Sequence, residues 1–375
     1  MSSIFYTLCM VALWVVNMFN GTGLGYTYKT TEIAILVCAV VAILCLASQV
    51  LYDGDLMIAP RFFYTIVPLF LVFIGTLYLH GYSLEGLKTL WPFILVYIMS
   101  KTRPSVTAIR MTAISYAVLG LVVLWIFSYT DIFKGWNPNS IAMVGLFSFV
   151  SFTVPFFGMR EWRSFIVMPL VGAAYVILLL PTDSRSCMLV IIIQLLMVLR
   201  IIPTKKLLEK PKAVALILLV PLWVAIFVVL LAKFGDTTGL TQWSYETFNK
   251  PFFNGRDETW AVGFRNIFRN PLFGNGLLDT GIWHNSAMAC MSSIGIVGYA
   301  LWIRLFYLIL KEGLPYLDDI CINGGFVAFL AISCHQSVEL GIYSIEPNIL
   351  PYIILGMILG RVNRLRSDKK WQRSA

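Results

Sequence analysis

The residues of this chain best suited to chemistry are one histidine and a few arginines bordering apolar segments. His284 stands in Trp283-His284-Asn285, directly ahead of an apolar run that contains Gly295 and Gly298. A neutral imidazole accepts a proton at physiological pH, so His284 is the candidate general base. Asn285 has two readings, a cap for the helix that follows and a polar contact to a ligand. Arg256 lies in Asn254-Gly255-Arg256-Asp257-Glu258-Thr259-Trp260 and opens a predicted helix, where backbone N–H groups and a guanidinium together favour an anion. Arg185, in Thr182-Asp183-Ser184-Arg185-Ser186, either pairs with Asp183 or offers forked donors to phosphate oxygens. Arg265 and Arg269 are further donors downstream of Arg256. Asn137 and Asn139, in Trp136-Asn137-Pro138-Asn139-Ser140, suit sugar hydroxyls or a turn that caps the next helix. His80 reads as an interfacial residue, and His335, with Glu339 one turn on, as an interhelical hydrogen-bonding group. A base and guanidiniums held at a bilayer surface suit chemistry on a lipid with an anionic headgroup.

The elements that must position these groups are membrane helices. The chain of 375 residues is 59% hydrophobic and 13% charged, with mean hydropathy +0.81. A soluble domain keeps about 25% of its residues charged. Composition therefore predicts an all-α, polytopic membrane bundle, with residues 1–375 as a single integral membrane domain. Twelve apolar spans are expected near 4–20, 33–51, 62–79, 86–99, 111–129, 140–158, 164–181, 186–202, 214–232, 286–309, 322–342 and 347–360. The first is kept as a span because no basic segment or cleavage pattern marks it as a signal peptide. Basic residues crowd four regions: Lys101 to Arg110, Arg160 with Arg163, Lys205 to Lys212, and Arg361 to Arg373. With twelve spans all four fall on one side, which the positive-inside rule makes cytoplasmic, together with both termini. This distribution accounts for the net charge of +9 without nucleic acid.

The one long connection, 233–285, is expected on the outer side, and its length suggests function. It is rich in aromatics, and 257–269 reads as an amphipathic helix with Trp260, Phe264, Ile267 and Phe268 on one face. That helix suits either the lipid interface or docking against the bundle. None of the seven cysteines lies in this segment and there is no C-x-x-C, which argues against a disulfide framework or a zinc site. No paired acids of D-x-D type lie on the outer side, so a transferase here needs a donor already activated without a bound metal. No cofactor is expected.

In order along the chain, Trp136-Asn137-Pro138-Asn139, Ser184-Arg185-Ser186, Gly255-Arg256 with Trp260, Asn270-Pro271-Leu272-Phe273-Gly274-Asn275-Gly276, and His284-Asn285 with Gly295 and Gly298 resemble the O-antigen ligase and polymerase superfamily of bacterial envelope glycosyltransferases. The resemblance covers about residues 136–310. It implies inverting, metal-independent transfer from a glycan on undecaprenyl pyrophosphate to a glycan or lipid-glycan acceptor at the outer leaflet of the cytoplasmic membrane. Carried over by position, His284 is the base, Arg185 and Arg256 hold the pyrophosphate, and Arg265 and Arg269 assist. Cys187 stands where the family often has glycine. Two other readings compete. A transporter or lipid flippase would place polar groups near span midplanes, as Gln194 does. A polymerase of the peptidoglycan type would rely on an outer acid such as Asp257 or Glu258.

Overall fold

The computed structural model describes residues 2–22, 40, 43–44, 47, 59–81, 89–133, 136–157, 162–279, 283–343 and 348–374. Among them every regular element is helical. The helices are α1 (Ser3–Thr22), α2 (Pro60–His80), α3 (Trp91–Lys101), α4 (Val106–Tyr129), α5 (Pro138–Thr153), α6 (Trp162–Leu179), α7 (Arg185–Val198) and α8 (Lys205–Leu208). They continue with α9 (Pro211–Leu218), α10 (Val220–Phe234), α11 (Thr238–Phe248), α12 (Arg256–Ile267), α13 (Ser286–Gly313), α14 (Ile320–His335) and α15 (Leu350–Ser374).

Five stretches are long and apolar enough to cross a membrane, Arg61–His80, Val106–Tyr129, Pro138–Phe156, Phe165–Thr182 and Ser286–Tyr316, and α9 with α10 makes a sixth, bent by 53°. The bend follows from Pro221, which has no N–H to continue the helix through Leu219. Shorter apolar helices, Ser3–Met18, Trp91–Lys101, Arg185–Val198 and Ile320–His335, fill other expected positions. The expected second span lies almost wholly outside the described residues. Three boundaries differ from expectation. The fourth span is the 11-residue α3, the eleventh stops at His335, and the last runs on to Ser374. Hydropathy counts apolar residues and is blind to where the backbone turns.

Of the long spans α5 is the most enclosed, buried over 78% of its apolar window, against 33% for α2 and 28% for α6. Those two peripheral helices turn Phe63, Phe70, Phe165 and Leu170 outward, as lipid-facing surfaces do. Polar atoms inside the bundle are tied between helices. Trp14 Nε1 donates to Ser148 Oγ at 2.8 Å, and Gln194 Nε2 donates to Thr153 Oγ1 at 2.7 Å. Gln194, the mid-span group that a transporter would use, is thus a buried strut between α7 and the end of α5.

α13 runs the depth of the bundle and carries its main irregularity. Its 28 residues include Gly295 at φ 72° and ψ −179°, which breaks the hydrogen-bond ladder. The Asn270–Gly276 loop inserts into the gap. Ile296 N donates to Pro271 O at 2.8 Å and Asn275 N donates to Ser292 O at 2.7 Å. A Cβ on Gly295 would lie 2.2 Å from Leu272 O, and one on Gly274 2.3 Å from Ser293 O. The glycines of the two motifs are therefore there for a single backbone-to-backbone crossing.

At about 1.5 Å per residue, α13 separates its ends by about 40 Å. Its C-terminal end is basic and knitted by ion pairs. Arg361 donates to Asp319 Oδ2 from Nε at 2.9 Å and Nη2 at 2.7 Å, and Lys205 meets Asp318 at 2.6 Å. The Lys205 hydrogen bond and charge hold the Asp318 carboxyl below the usual range. Asp319 also caps α14 through Cys321 N and Ile322 N. Regions expected on one side of the membrane therefore meet at one end of the bundle.

Replacing Gly295 by alanine is expected to cost at least about 2 kcal/mol, because strain at positive φ adds to overlap with Leu272. Gly75→Ala in α2, where a Cβ meets nothing within 4 Å, is expected to change stability by less than about 0.5 kcal/mol. Thermal unfolding of both variants in detergent checks the contrast.

Candidate functional site

The other end of α13 begins with His284 and Asn285. Asn285 Oδ1 accepts from Met288 N at 3.0 Å, the N-cap bond that starts the helix. Its Nδ2 donates to Pro221 O and to Ser337 O, each at 2.9 Å. One fully buried amide thus clasps α13 to the break before α10 and to the turn after α14. Asn285 is a scaffold residue. Its side chain is fully buried and its amide groups are engaged within the protein, which is the capping reading. Ser286 reinforces the clasp, its N donating to Gln336 O at 3.0 Å and its Oγ to Gln336 Oε1 at 2.9 Å.

This splice brings Glu339 to His284. His284 Nδ1 donates to Glu339 Oε2 at 3.2 Å. Arg256 Nη2 reaches the other oxygen, Oε1, at 3.4 Å, and Val338 O at 2.9 Å. The side-chain exposures are 7% for Glu339, 25% for Arg256 and 47% for His284. A carboxylate out of water needs compensating cations or donors, and here it takes both functional groups. His284 has φ 46°, a left-handed conformation uncommon outside glycine and strained enough to need support. With Nδ1 committed to the carboxylate, Nε2 is the nitrogen left for proton transfer.

Arg256 opens α12 as expected, and α12 docks on the bundle rather than lying free. Trp260 is fully buried and its Nε1 donates to Trp283 O. Gly263 leaves room for Met288, whose Cε would lie 2.4 Å from an added Cβ. Trp260 and Ile267 form the buried face, whereas Phe268 is exposed, contrary to the apolar face expected for it. Burial lowers the pKa of Arg256, Glu339 opposes that, and the charge of Arg185 lowers it further. Arg185 at the start of α7 is therefore electrostatically coupled to Arg256. The carboxylate of Asp183 pairs with Lys250, a partner the sequence did not single out.

A cavity of about 130 Å³ is lined by Asn139, Asn254, Gly255, Arg256, Thr259, Trp283 and His284. Two donors of its lining residues, Arg256 Nε and Trp283 Nε1, are buried with no protein acceptor among the described residues, which is rare for buried donors. Asn139 lines the cavity. Its neighbour Asn137 is the exposed N-cap of α5 and accepts from Asn139 N at 3.0 Å. Arg265 and Arg269 are not brought there. Both are exposed, and Arg265 stands about 13 Å along α12 from Arg256. His335 is fully inside, with Nε2 3.3 Å from Ser186 Oγ, which is the interhelical role expected of it. Among the described residues no three His, Cys, Asp or Glu side chains form a metal-binding group.

The sequence reading underweighted Glu339. Its signal was present, as one of two acids between 320 and 360 in an otherwise apolar stretch. No protein-family model matches the chain, and no curated protein matches it.

Asn285→Ala removes a cap worth about 1 kcal/mol and strands two buried carbonyls. The expected loss is at least about 2 kcal/mol. Asn139→Ala, at the cavity wall, is expected to stay within about 0.5 kcal/mol of the parent. Denaturation midpoints of the two purified variants measure the difference.

Proposed function

We propose that this chain is an envelope-polysaccharide glycosyltransferase of the O-antigen polymerase or ligase type. It crosses the bacterial cytoplasmic membrane twelve times with both termini inside, and its cavity faces outward. The donor is a glycan on undecaprenyl pyrophosphate, and the acceptor is a hydroxyl of another glycan or lipid-glycan. His284 Nε2 takes the acceptor proton as the hydroxyl oxygen bonds to the anomeric carbon. The bond from that carbon to the pyrophosphate breaks on the opposite face, its electron pair stays on the leaving oxygen, and the configuration inverts. Arg256, with Arg185 behind it, binds the pyrophosphate and stabilises its growing charge. Glu339 orients His284 and fixes which ring nitrogen carries the proton.

What supports this reading most is the shared Glu339 carboxylate, which holds an imidazole and a guanidinium on one small polar cavity. The Arg256 guanidinium in its lining agrees with an anionic headgroup. The concentration of basic residues at the far end agrees with an outward cavity.

The test is transfer by the reconstituted protein from a labelled lipid-linked oligosaccharide. His284→Ala is expected to lower kcat by about 10²–10⁴-fold, the range of general-base help. Arg256→Ala is expected to raise KM for the donor and lower kcat together. Glu339→Gln is expected to lower kcat by less than loss of His284, with donor KM little changed. A product ladder identifies a polymerase and a single shifted product a ligase. Full activity of His284→Ala and Arg256→Ala, or gradient-driven uptake with no covalent change, would overturn the proposal.

A further inference from the structure

A small cavity of about 30 Å³ lies between α13 and α14, beside the proline break that separates α9 from α10. Leu218 and Pro221 line it from the break, Tyr299 and Trp302 from α13, and Ser333 from α14. Two of the surrounding elements are interrupted here. Pro221 stands at the start of α10 after the bend, and Gly295 breaks α13 between its first turns and Tyr299. Interrupted helices cannot fit ridges into grooves along their whole length, so a gap at this point has a physical cause.

The gap is buried but not apolar. Every residue of its lining except Ile303 is buried. Some of its polar groups are engaged. Ser286 Oγ donates to Gln336 Oε1 at 2.9 Å, which also accepts from Ile342 N at 2.8 Å. Tyr343 OH donates to Ser293 Oγ at 2.8 Å. Three others are not engaged. Tyr299 OH, Trp302 Nε1 and Ser333 Oγ have no hydrogen-bond partner among the described residues, and these residues are 6%, 2% and 5% exposed. Buried polar groups seldom go unpaired, and these three belong to the lining of one cavity.

The chemistry of the three atoms defines what they take. An indole N–H only donates, whereas a hydroxyl both donates and accepts. The occupant must therefore accept from Trp302, and it can donate to Tyr299 or Ser333. No charged side chain is in the lining, so an ion there would lie uncompensated in the bundle. A water needs about 10–15 Å³ and two to four polar partners, and cavities that stay dry are lined by apolar groups. Volume and partners both match water.

We propose that this cavity is an internal water site, in which one or two waters join Tyr299 and Trp302 of α13 to Ser333 of α14. They connect the two helices next to the Ser286–Gln336 contact, where α13 is not continuous. The site needs nothing of the transfer reaction, so the two can fail independently.

Hydroxyl-radical labelling of the purified full-length protein by a short X-ray pulse tests it, because an ordered internal water yields the radical in place and oxidises the side chains around it. Tyr299 and Trp302 are expected to be oxidised well above Trp14 and Tyr116. Those two controls are each 2% exposed, but Trp14 Nε1 donates to Ser148 Oγ and Tyr116 OH to Met10 O. Tyr299→Phe and Ser333→Ala each remove one hydroxyl with little change of shape. Each is expected to reduce the labelling of Trp302 and to lower the folded-to-unfolded ratio roughly fivefold, the value of one hydrogen bond. In a dry cavity the same substitutions would delete an unpaired buried hydroxyl and raise the denaturation midpoint. Labelling of Tyr299 and Trp302 no greater than that of the controls, or a midpoint unchanged or raised in both variants, would overturn the proposal.

Discussion

A single carboxylate taken out of water organises the candidate site. Glu339 sits in the turn after α14 with almost no exposed side-chain surface, and its two oxygens face Arg256 and His284. The cost of desolvating that charge is offset only while both partners stay in place. The same contact that makes Glu339 tolerable therefore fixes the orientation of the imidazole and the reach of the guanidinium. Arg185 adds a second positive charge near Arg256.

Rigid elements meet at this point because irregular backbone is used with economy. The break in α13 at Gly295 accepts the Asn270–Gly276 loop, which returns from α12. Asn285 then secures the beginning of α13 to the proline break before α10 and to the turn that bears Glu339. In a medium without water, backbone freed from a helix must find partners within the protein. The loop, the break and the turn serve one another in this way, and the functional side chains stand where those three irregularities converge. Positioning by buried hydrogen bonds of this kind gives a site its geometric precision.

The two ends of the bundle handle charge differently. At the basic end acids and bases are matched across elements, Asp319 with Arg361 and Asp318 with Lys205, and these pairs close the helices together. At the His284 end the cations gather around one acid at a polar hollow. The first arrangement is what a structural seam requires. The second brings two positive or titratable groups to one buried carboxylate beside that hollow.

Much of the architecture was readable from the chain. Hydropathy marked α2, α4, α5, α6 and α13 because burial in lipid requires long apolar runs, whatever the tertiary contacts. The helix expected at 257–269 from its aromatic spacing is found at 256–267, and Gly274 and Gly295 stood in separate motifs that nothing in the sequence joined as a crossing. Arg256 and His284 were recognisable because charged and titratable groups at the edge of apolar segments are costly. What only the tertiary structure decided is which of the polar residues share a cavity. Glu339 lies 55 positions from His284 along the chain, and no local pattern couples them. Asn285 turned inward because three broken backbones needed a donor or acceptor at that spot, and Arg265 and Arg269 turned outward because Trp260 and Ile267 claimed the packed face of α12. Spacing on a helix determines which residues share a face, but the direction that face looks is set by the packing of the whole bundle.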